Sequence, residues 1–145
     1  MRIAITGNIG CGKSTVCAIL ARLLPGYAQF SVDDAVRALY QREDYTTALA
    51  ARFGPSERRA LSDLVFAQPA LKKELEDFAM EYLLPELETA LAQSHVIIEF
   101  PLLYDMGGWA ERFDFVLALG CDDETQRERV LSRDNISVEK FEQIR

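Results

Sequence analysis

Nine consecutive residues near the amino terminus have the composition of a loop that binds a phosphate chain. Gly7-Asn-Ile-Gly-Cys-Gly-Lys13-Ser14 fills every fixed position of the pattern G-x-x-x-x-G-K-[ST]. Glycines let successive backbone N–H groups turn towards one anion, Lys13 can bridge the β- and γ-phosphates of a nucleotide, and the Ser14 hydroxyl can ligate Mg²⁺. The predicted nucleotide-binding residues are Gly7, Asn8, Ile9, Gly10, Cys11, Gly12, Lys13, Ser14 and Thr15.

The segments on either side of this phosphate loop are the ones that such a site needs. Residues 2–6 are a short apolar run with β-branched side chains, and residues 14–24 carry apolar side chains at helical spacing. The helix would add its positive end to the site. A strand, a loop and a helix in this order favour an ATP and Mg²⁺ site over a glycine-rich turn that binds nothing.

Acidic residues end two further predicted strands. Asp33 and Asp34 close a strand over 27–32, and Glu99 lies at the end of a strand over 95–100. Because ligands bind at the carboxyl ends of parallel strands, one carboxylate there can accept a proton from an attacking hydroxyl, and another can hold Mg²⁺ or orient the acceptor. The alternatives are that the aspartates cap the next helix and that Glu99 is a strand-end acid facing solvent.

The remaining pattern predicts an α/β fold. A fourth strand is expected over 113–119, and helices are expected over 35–41, 44–54, 56–66, 69–92, 124–133 and 138–145, with Pro85 kinking or dividing the longest. Strands separated by helices predict a mostly parallel sheet with helices on both faces.

Three arginines lie on the predicted helix over 124–133. Arg129 and Arg133 are four residues apart and share one face, and Arg127 precedes them on the same helix. Guanidinium groups suit phosphate oxygens, so these residues are candidates for neutralising transferred charge. The alternative is pairing with the glutamates of the same helix.

Composition excludes several classes of protein. The 145 residues hold 16 Lys and Arg against 23 Asp and Glu, and this net charge of −7 argues against a nucleic-acid binder or a basic membrane clamp. No apolar run approaches the ~18 residues of a membrane span. Cys11, Cys17 and Cys121 have no metal-ligand spacing, which favours reduced thiols in the cytoplasm, and the single histidine, His95, is interpreted as structural.

The chain resembles the dephospho-CoA kinases. Matching segments occur in the family's order at 3–16, 32–39, 58–69, 97–105 and 115–137. The resemblance implies ATP-dependent phosphorylation of the ribose 3′-hydroxyl of dephospho-CoA, with Mg²⁺. It also implies a single three-layer P-loop domain over 1–145, like the nucleoside monophosphate kinases, with a reduced helical acceptor-binding insertion over about 35–92 and the start of a lid over about 124–145.

The resemblance also suggests roles for particular residues. Asp34 best matches the catalytic aspartate, with Asp33 one position away, and Arg133 matches a lid arginine that closes over ATP. An acid at Glu99 is usual, although Asp is more frequent there. The implied acceptor side comprises Arg58, Arg59, Glu99, Pro101, Leu102 and Leu103. A solvated basic turn is the alternative for the two arginines.

Three departures from the family pattern leave other functions open. Ala79-Met80-Glu81 replaces a Leu-His-Pro segment, the span between Asp34 and Arg58 is short, and the chain stops at Arg145, before the final strand of the family. Either the chain is a fragment or a second copy covers the sheet edge, which would make it a homo-oligomer. The alternatives to dephospho-CoA kinase are a small nucleoside or nucleotide kinase and a non-catalytic nucleotide-binding module.

Overall fold

The computed structural model describes residues 1–68, 70–134 and 137–144. In chain order, its elements are β1 (Arg2–Gly7), α1 (Lys13–Leu23), β2 (Ala28–Ser31), α2 (Val32–Leu39), α3 (Glu43–Phe53), α4 (Arg58–Ala67), α5 (Leu71–Leu91), β3 (Val96–Glu99), a 3₁₀ helix (Trp109–Arg112), β4 (Phe115–Leu119), α6 (Asp123–Asp134) and α7 (Val138–Ile144). Each predicted strand is present, with ends that differ by at most two residues from the prediction. In the described part of the chain, no helix is long and apolar enough to cross a membrane.

The four strands form one parallel sheet in the order β2-β3-β1-β4. In the register of this sheet, Ile5 of β1 lies beside Glu99 of β3, and Gly7 lies beside Leu119 of β4. The carboxyl ends of β1, β3 and β4 therefore meet at one edge, where the chain segments that follow them come together. The prediction of a parallel sheet is confirmed.

The sheet belongs to a compact unit made of residues 1–31 and 90–145. Ile3, Ile5 and Ile97 form a buried cluster against which side chains of α1 pack. Ala4 and Ile98 point to the opposite face, because strand side chains alternate, and both are fully buried. Burial on both faces explains why β1 and β3 are continuous apolar runs rather than alternating ones.

The outer strand β4 is less covered. Phe115 is 59% exposed and Leu117 is 40% exposed, and both lie on the same face because they are two residues apart. Among the described residues, β4 has a strand partner only on its β1 side.

Residues 32–89 form a second compact unit of helices. Its core includes an aromatic cluster in which the ring of Tyr45 contacts those of Phe78 and Tyr82, at centroid distances of 5.7 and 5.1 Å. The Arg52 guanidinium lies 5.4 Å from the centre of the Phe78 ring and pairs with Glu74 at 2.9 Å. Aromatic packing of this kind stabilises a small helical unit through large buried area.

The sequence predicts that Pro85 kinks or divides the longest helix, and the structure contradicts the division, while the kink stays a prediction. Helix α5 runs unbroken for 21 residues with Pro85 inside it. A proline inside a helix removes one N–H donor, and its ring crowds the carbonyl of the residue four positions earlier. The hydroxyl of Thr89 donates to the Pro85 carbonyl at 2.8 Å, in the turn that follows the proline.

Helix α2 begins earlier than predicted. It starts at Val32, directly after the last residue of β2, so Asp33 and Asp34 lie in its first turn rather than in a loop. Carboxylates are favourable at this end of a helix because the unpaired N–H groups carry partial positive charge.

Candidate active site

The phosphate loop joins β1 to α1, and two of its glycines are required by close packing. Gly7 has a φ of +134°, and a Cβ atom there would lie 2.2 Å from the carbonyl oxygen of Leu119. Gly10 has a φ of +78°, and a Cβ atom would lie 2.8 Å from Cγ2 of Val130. Any side chain at these positions would therefore push the loop away from β4 or from α6.

Lys13 is the first residue of α1, and its side chain folds back over the loop. The ammonium donates a hydrogen bond to the Asn8 carbonyl at 3.0 Å, and the residue is 8% exposed. The residue before the helix, Gly12, is in the left-handed region, and no side chain among the described residues caps α1 there. The first N–H groups of α1 are therefore available to an anion beside a nearly buried cation.

Ser14 and Glu99 bring a hydroxyl and a carboxylate together at the carboxyl edge of the sheet. The Ser14 hydroxyl donates to Oε1 of Glu99 at 3.0 Å. Glu99 is 7% exposed, so the interpretation of this residue as a strand-end acid facing solvent is wrong. The strand β3 is covered on both faces, and the side chain at its end is covered with it.

The oxygen atoms of Ser14 and Glu99 are suitable ligands for Mg²⁺. In the described part of the chain, no group of three or more His, Cys, Asp or Glu residues could hold a metal ion. Magnesium in phosphoryl-transfer sites is held by one or two protein oxygens together with phosphate oxygens and water, rather than by a protein cage. A serine hydroxyl and a glutamate 3.0 Å apart match that smaller requirement.

The segment after β3 is anchored to β1. The Thr6 hydroxyl donates to the Pro101 carbonyl at 3.1 Å, and Leu103 is fully buried. Pro101 and Leu102 are partly buried. Of the three residues predicted on the acceptor side of this segment, Leu103 thus packs in the core, while Pro101 and Leu102 keep exposed surface.

Helix α6 contacts the phosphate loop directly. Nε2 of Gln126 donates to the Ile9 carbonyl at 2.8 Å, and Nη1 of Arg129 donates to the Gly10 carbonyl at 3.3 Å. The sequence analysis missed Gln126, which is 3% exposed. The available signal was its spacing of four residues from Val130, which marks a buried stripe on an otherwise charged helix.

The cysteines of this unit are also close to the loop. Sγ of Cys11, inside the phosphate loop, lies 3.2 Å from Sγ of Cys121, in the segment between β4 and α6. Cys17 lies in α1, where burial, followed by the charge of Glu99, raises the pKa of its thiol to about 11. All three cysteines are free thiols in this structure.

The other predicted site residues belong to α6 and to the helical unit. Arg133 is an exposed residue in the last turn of α6. Asp34 belongs to the helical unit, where its carboxylate accepts a hydrogen bond from Arg37 at 2.6 Å. Arg58 and Arg59 are the exposed first residues of α4 in the same unit.

The first strand of the parallel sheet leads through a glycine-rich loop into a helix, and a lysine and a serine–carboxylate pair lie at the carboxyl edge. These features define a P-loop nucleotide-binding enzyme of the kinase type. A family model described as dephospho-CoA kinase matches residues 1–145. The chain therefore belongs to the dephospho-CoA kinase family, and it is an ATP-dependent kinase. The resemblance seen in the sequence is confirmed.

Individual relatives agree with this assignment. The dephospho-CoA kinase of Agrobacterium fabrum is 33% identical over 153 residues, covering 98% of this chain and 77% of that protein. A dephospho-CoA kinase of Thermus thermophilus is 37% identical over 145 residues, covering 95% of this chain and 70% of that protein.

Solved structures share the fold. The crystal structure of TT1252 from Thermus thermophilus matches with a TM-score of 0.71 at 34% identity, over 99% of this chain and 76% of that one. Deoxyadenosine kinase from M. mycoides with bound dATP matches with a TM-score of 0.58 at 19% identity, and the match covers 99% of this chain and 79% of that one. The second match supports the fold alone, and the predicted P-loop fold of the nucleoside-monophosphate-kinase type is confirmed.

Proposed function

We propose that this chain transfers the γ-phosphoryl group of ATP to the ribose 3′-hydroxyl of dephospho-CoA, giving CoA and ADP. The observation that carries the proposal is the Ser14–Glu99 pair beside Lys13, in a chain that the dephospho-CoA kinase family matches over its whole length. Phosphoryl transfer to an alcohol needs positioning and charge neutralisation more than covalent help, and these residues supply both.

The phosphate loop and Lys13 are proposed to hold the β- and γ-phosphates. Backbone N–H groups at the start of α1 and the lysine ammonium would neutralise charge on the transferred group. Gln126 and Arg129 engage the carbonyl oxygens of Ile9 and Gly10 from α6. Holding these carbonyls on the α6 side keeps them from turning towards the anion, which they would repel.

Ser14 and Glu99 are proposed to hold Mg²⁺. The hydroxyl oxygen of Ser14 has a free lone pair when its proton is donated to Glu99, so one side chain can serve both contacts. Bound Mg²⁺ would supply charge neutralisation between the β- and γ-phosphates. Glu99 fixes the direction of the Ser14 hydroxyl and adds negative charge where a cation binds.

Asp34 is proposed as the group that accepts the proton of the attacking hydroxyl, with Asp33 as the alternative. Val32 separates the two aspartates from the last residue of β2, Ser31, which is in register with Glu99. Asp34 is exposed and its carboxylate pairs with Arg37, and an accessible carboxylate suits a proton acceptor. Arg133, in the last turn of α6, is proposed to meet phosphate oxygens from the lid side.

The helical unit of residues 32–89 is proposed as the acceptor-binding insertion, within one kinase domain that also includes the start of a lid over about 124–145. Arg58 and Arg59 are exposed cations at the start of α4, and the acceptor carries phosphate groups that such cations attract. Pro101 and Leu102 supply exposed apolar surface after β3. Location in the cytoplasm and assembly into a homo-oligomer stay predictions.

A coupled assay of ADP release tests the acceptor. We expect turnover of ATP with dephospho-CoA and Mg²⁺, and no turnover with deoxyadenosine, deoxycytidine or AMP in place of dephospho-CoA. The Lys13→Ala variant supplies the background rate. Turnover of a nucleoside but not of dephospho-CoA would assign the chain to the nucleoside kinases. Tight ATP binding with no turnover of any acceptor would identify a nucleotide-binding module.

A further inference from the structure

Two sulfur atoms that are distant in the sequence meet at the phosphate loop. Cys11 and Cys121 are 110 residues apart, yet their Sγ atoms are 3.2 Å apart. The register of β1 against β4 produces this contact, because Gly7 lies beside Leu119 and the two cysteines follow a few residues later. A disulfide bond is about 2.05 Å long, so joining the sulfurs requires an approach of only about 1 Å.

The surroundings allow that approach. Cys11 lies between Gly10 and Gly12, both in the left-handed region, so no neighbouring side chain on either side restricts the backbone. Both cysteines are partly exposed, which lets a small oxidant reach them.

The hydrogen bond with Cys11 raises the pKa of the Cys121 thiol, as do burial and the charge of Cys11, while Arg129 opposes them. These contributions favour the protonated thiol at Cys121, so we assign the first attack on an oxidant to the other sulfur of the pair.

We propose that Cys11 and Cys121 form a modification site, at which a hydroperoxide joins the two sulfurs in a disulfide that weakens ATP binding. The Cys11 sulfur attacks one peroxide oxygen, the O–O bond breaks, and a sulfenic acid forms as water or an alcohol leaves. The Cys121 sulfur then attacks the sulfenic sulfur, and the hydroxyl leaves as water with the thiol proton. With hydrogen peroxide, two thiols and one peroxide give one disulfide and two waters. A dithiol reductant reverses the reaction.

The disulfide would act on ATP through the backbone of the loop. Cys11 is followed by Gly12 and by Lys13, the first residue of α1, so its position sets where the N–H groups of the loop point. Drawing Cys11 towards the segment after β4 turns these groups away from a phosphate chain. It also ties the loop covalently to the segment that leads into α6, so the loop cannot adjust when a nucleotide enters.

Cys17 is an internal control. It lies in α1 against the buried cluster of Ile3, Ile5 and Ile97, and its thiol has a pKa of about 11. It is therefore protonated near neutral pH and reacts slowly with peroxide, because the thiolate is the reactive form. A Cys17→Ser variant removes this third thiol and leaves the proposed pair intact.

The test treats the full chain with hydrogen peroxide and follows two quantities. Peptide mapping without reduction is expected to show Cys11 joined to Cys121, with a mass lower by two hydrogens, in the parent chain and in Cys17→Ser but not in Cys121→Ser. Calorimetry on the cross-linked protein is expected to show ATP affinity weakened about tenfold or more and restored by dithiothreitol.

Each outcome bears on the proposal. If the cross-link forms and the ATP affinity is unchanged, the disulfide does not regulate ATP binding. If the two sulfurs fail to join in folded protein whose Cys121 reacts with an alkylating reagent, the proposed modification site is overturned. Neither measurement uses an acceptor substrate, so an error in the assignment of dephospho-CoA would leave both results unchanged.

Discussion

The hydroxyl of Ser14 donates a hydrogen bond of 3.0 Å to Oε1 of Glu99, joining the first turn of α1 to the end of β3. Glu99 is nearly buried, and its position beside Ile5 in the sheet is set by the parallel register. The pair therefore connects the phosphate loop to the rigid part of the sheet. A cation bound there would be placed by the sheet rather than by a flexible loop.

Glu99→Gln is expected to weaken the response to Mg²⁺. Glutamine keeps the volume and can still accept from Ser14, but it removes the negative charge, so the Mg²⁺ concentration for half-maximal rate is expected to rise about 10- to 100-fold. ADP release measured against Mg²⁺ concentration tests this. Glu111→Gln, an exposed acid in the 3₁₀ helix, is the control. An unchanged Mg²⁺ curve in Glu99→Gln would remove Glu99 from the metal site.

Lys13→Ala is expected to abolish ATP binding measured by calorimetry. The variant loses the cation that neutralises phosphate charge, and it also loses the hydrogen bond to the Asn8 carbonyl, at a cost of about 1 kcal/mol in the free energy of unfolding. Thermal melting separates the two effects, since the fold is expected to survive. Lys72→Ala, an exposed lysine of α5, is the control for lost charge. Unchanged ATP affinity in Lys13→Ala would refute the assignment of the phosphate site.

Asp34→Asn is expected to lower kcat by about 10²- to 10⁴-fold, the usual contribution of a general base. Asp33→Asn is expected to have the smaller effect. The Asp34–Arg37 pair is exposed on both sides, so its loss alone changes stability by no more than about 1 kcal/mol. Arg37→Ala breaks the same pair and keeps the carboxylate. If Arg37→Ala slows the enzyme as much as Asp34→Asn does, Asp34 acts through its pairing and not as a base.

Arg133→Ala is expected to lower kcat by about 10³-fold with little change in melting temperature, because an arginine that meets transferred charge acts mainly in the transition state. Arg22→Ala is the control, since Arg22 is an exposed arginine in the last turn of α1 that no part of the proposed site uses. Stopped-flow or coupled ADP release gives the rates. A wild-type rate in Arg133→Ala would place this residue outside the site.

Gln126→Met is expected to weaken ATP binding and to destabilise the compact unit that contains the sheet. Methionine fills similar volume but leaves the Ile9 carbonyl without its 2.8 Å partner, at a cost of about 1–3 kcal/mol in unfolding free energy. The expected signature is a raised KM for ATP with a smaller change in kcat, because the amide shapes the loop and does not touch reacting atoms. Gln93→Met, at an exposed turn after α5, is the control. Equal KM values in the two variants would show that the Gln126 contact is structural only.

The local sequence pattern was sufficient to predict the phosphate loop and the parallel sheet. Gly7, Lys13 and Ser14 lie within eight residues, so their chemistry depends on a turn and a helix start that neighbouring residues determine. The apolar runs over 2–6 and 95–100 predicted strands, and the structure places β1 and β3 there. Pro85 does not divide α5, so the local preference of proline did not by itself decide where this helix ends.

Tertiary structure decided which distant residues share the site. Glu99 was open to two interpretations in the sequence, and the strand register buried it against Ser14. Gln126 lies in the matching segment 115–137, but only the folded structure showed its contact with the phosphate loop, and the meeting of Cys11 with Cys121 depended on the register of β1 against β4. Contacts of this kind join residues about a hundred positions apart, and side-chain periodicity describes only near neighbours. Their distances therefore follow from how strands pair and helices pack, which no local pattern contains.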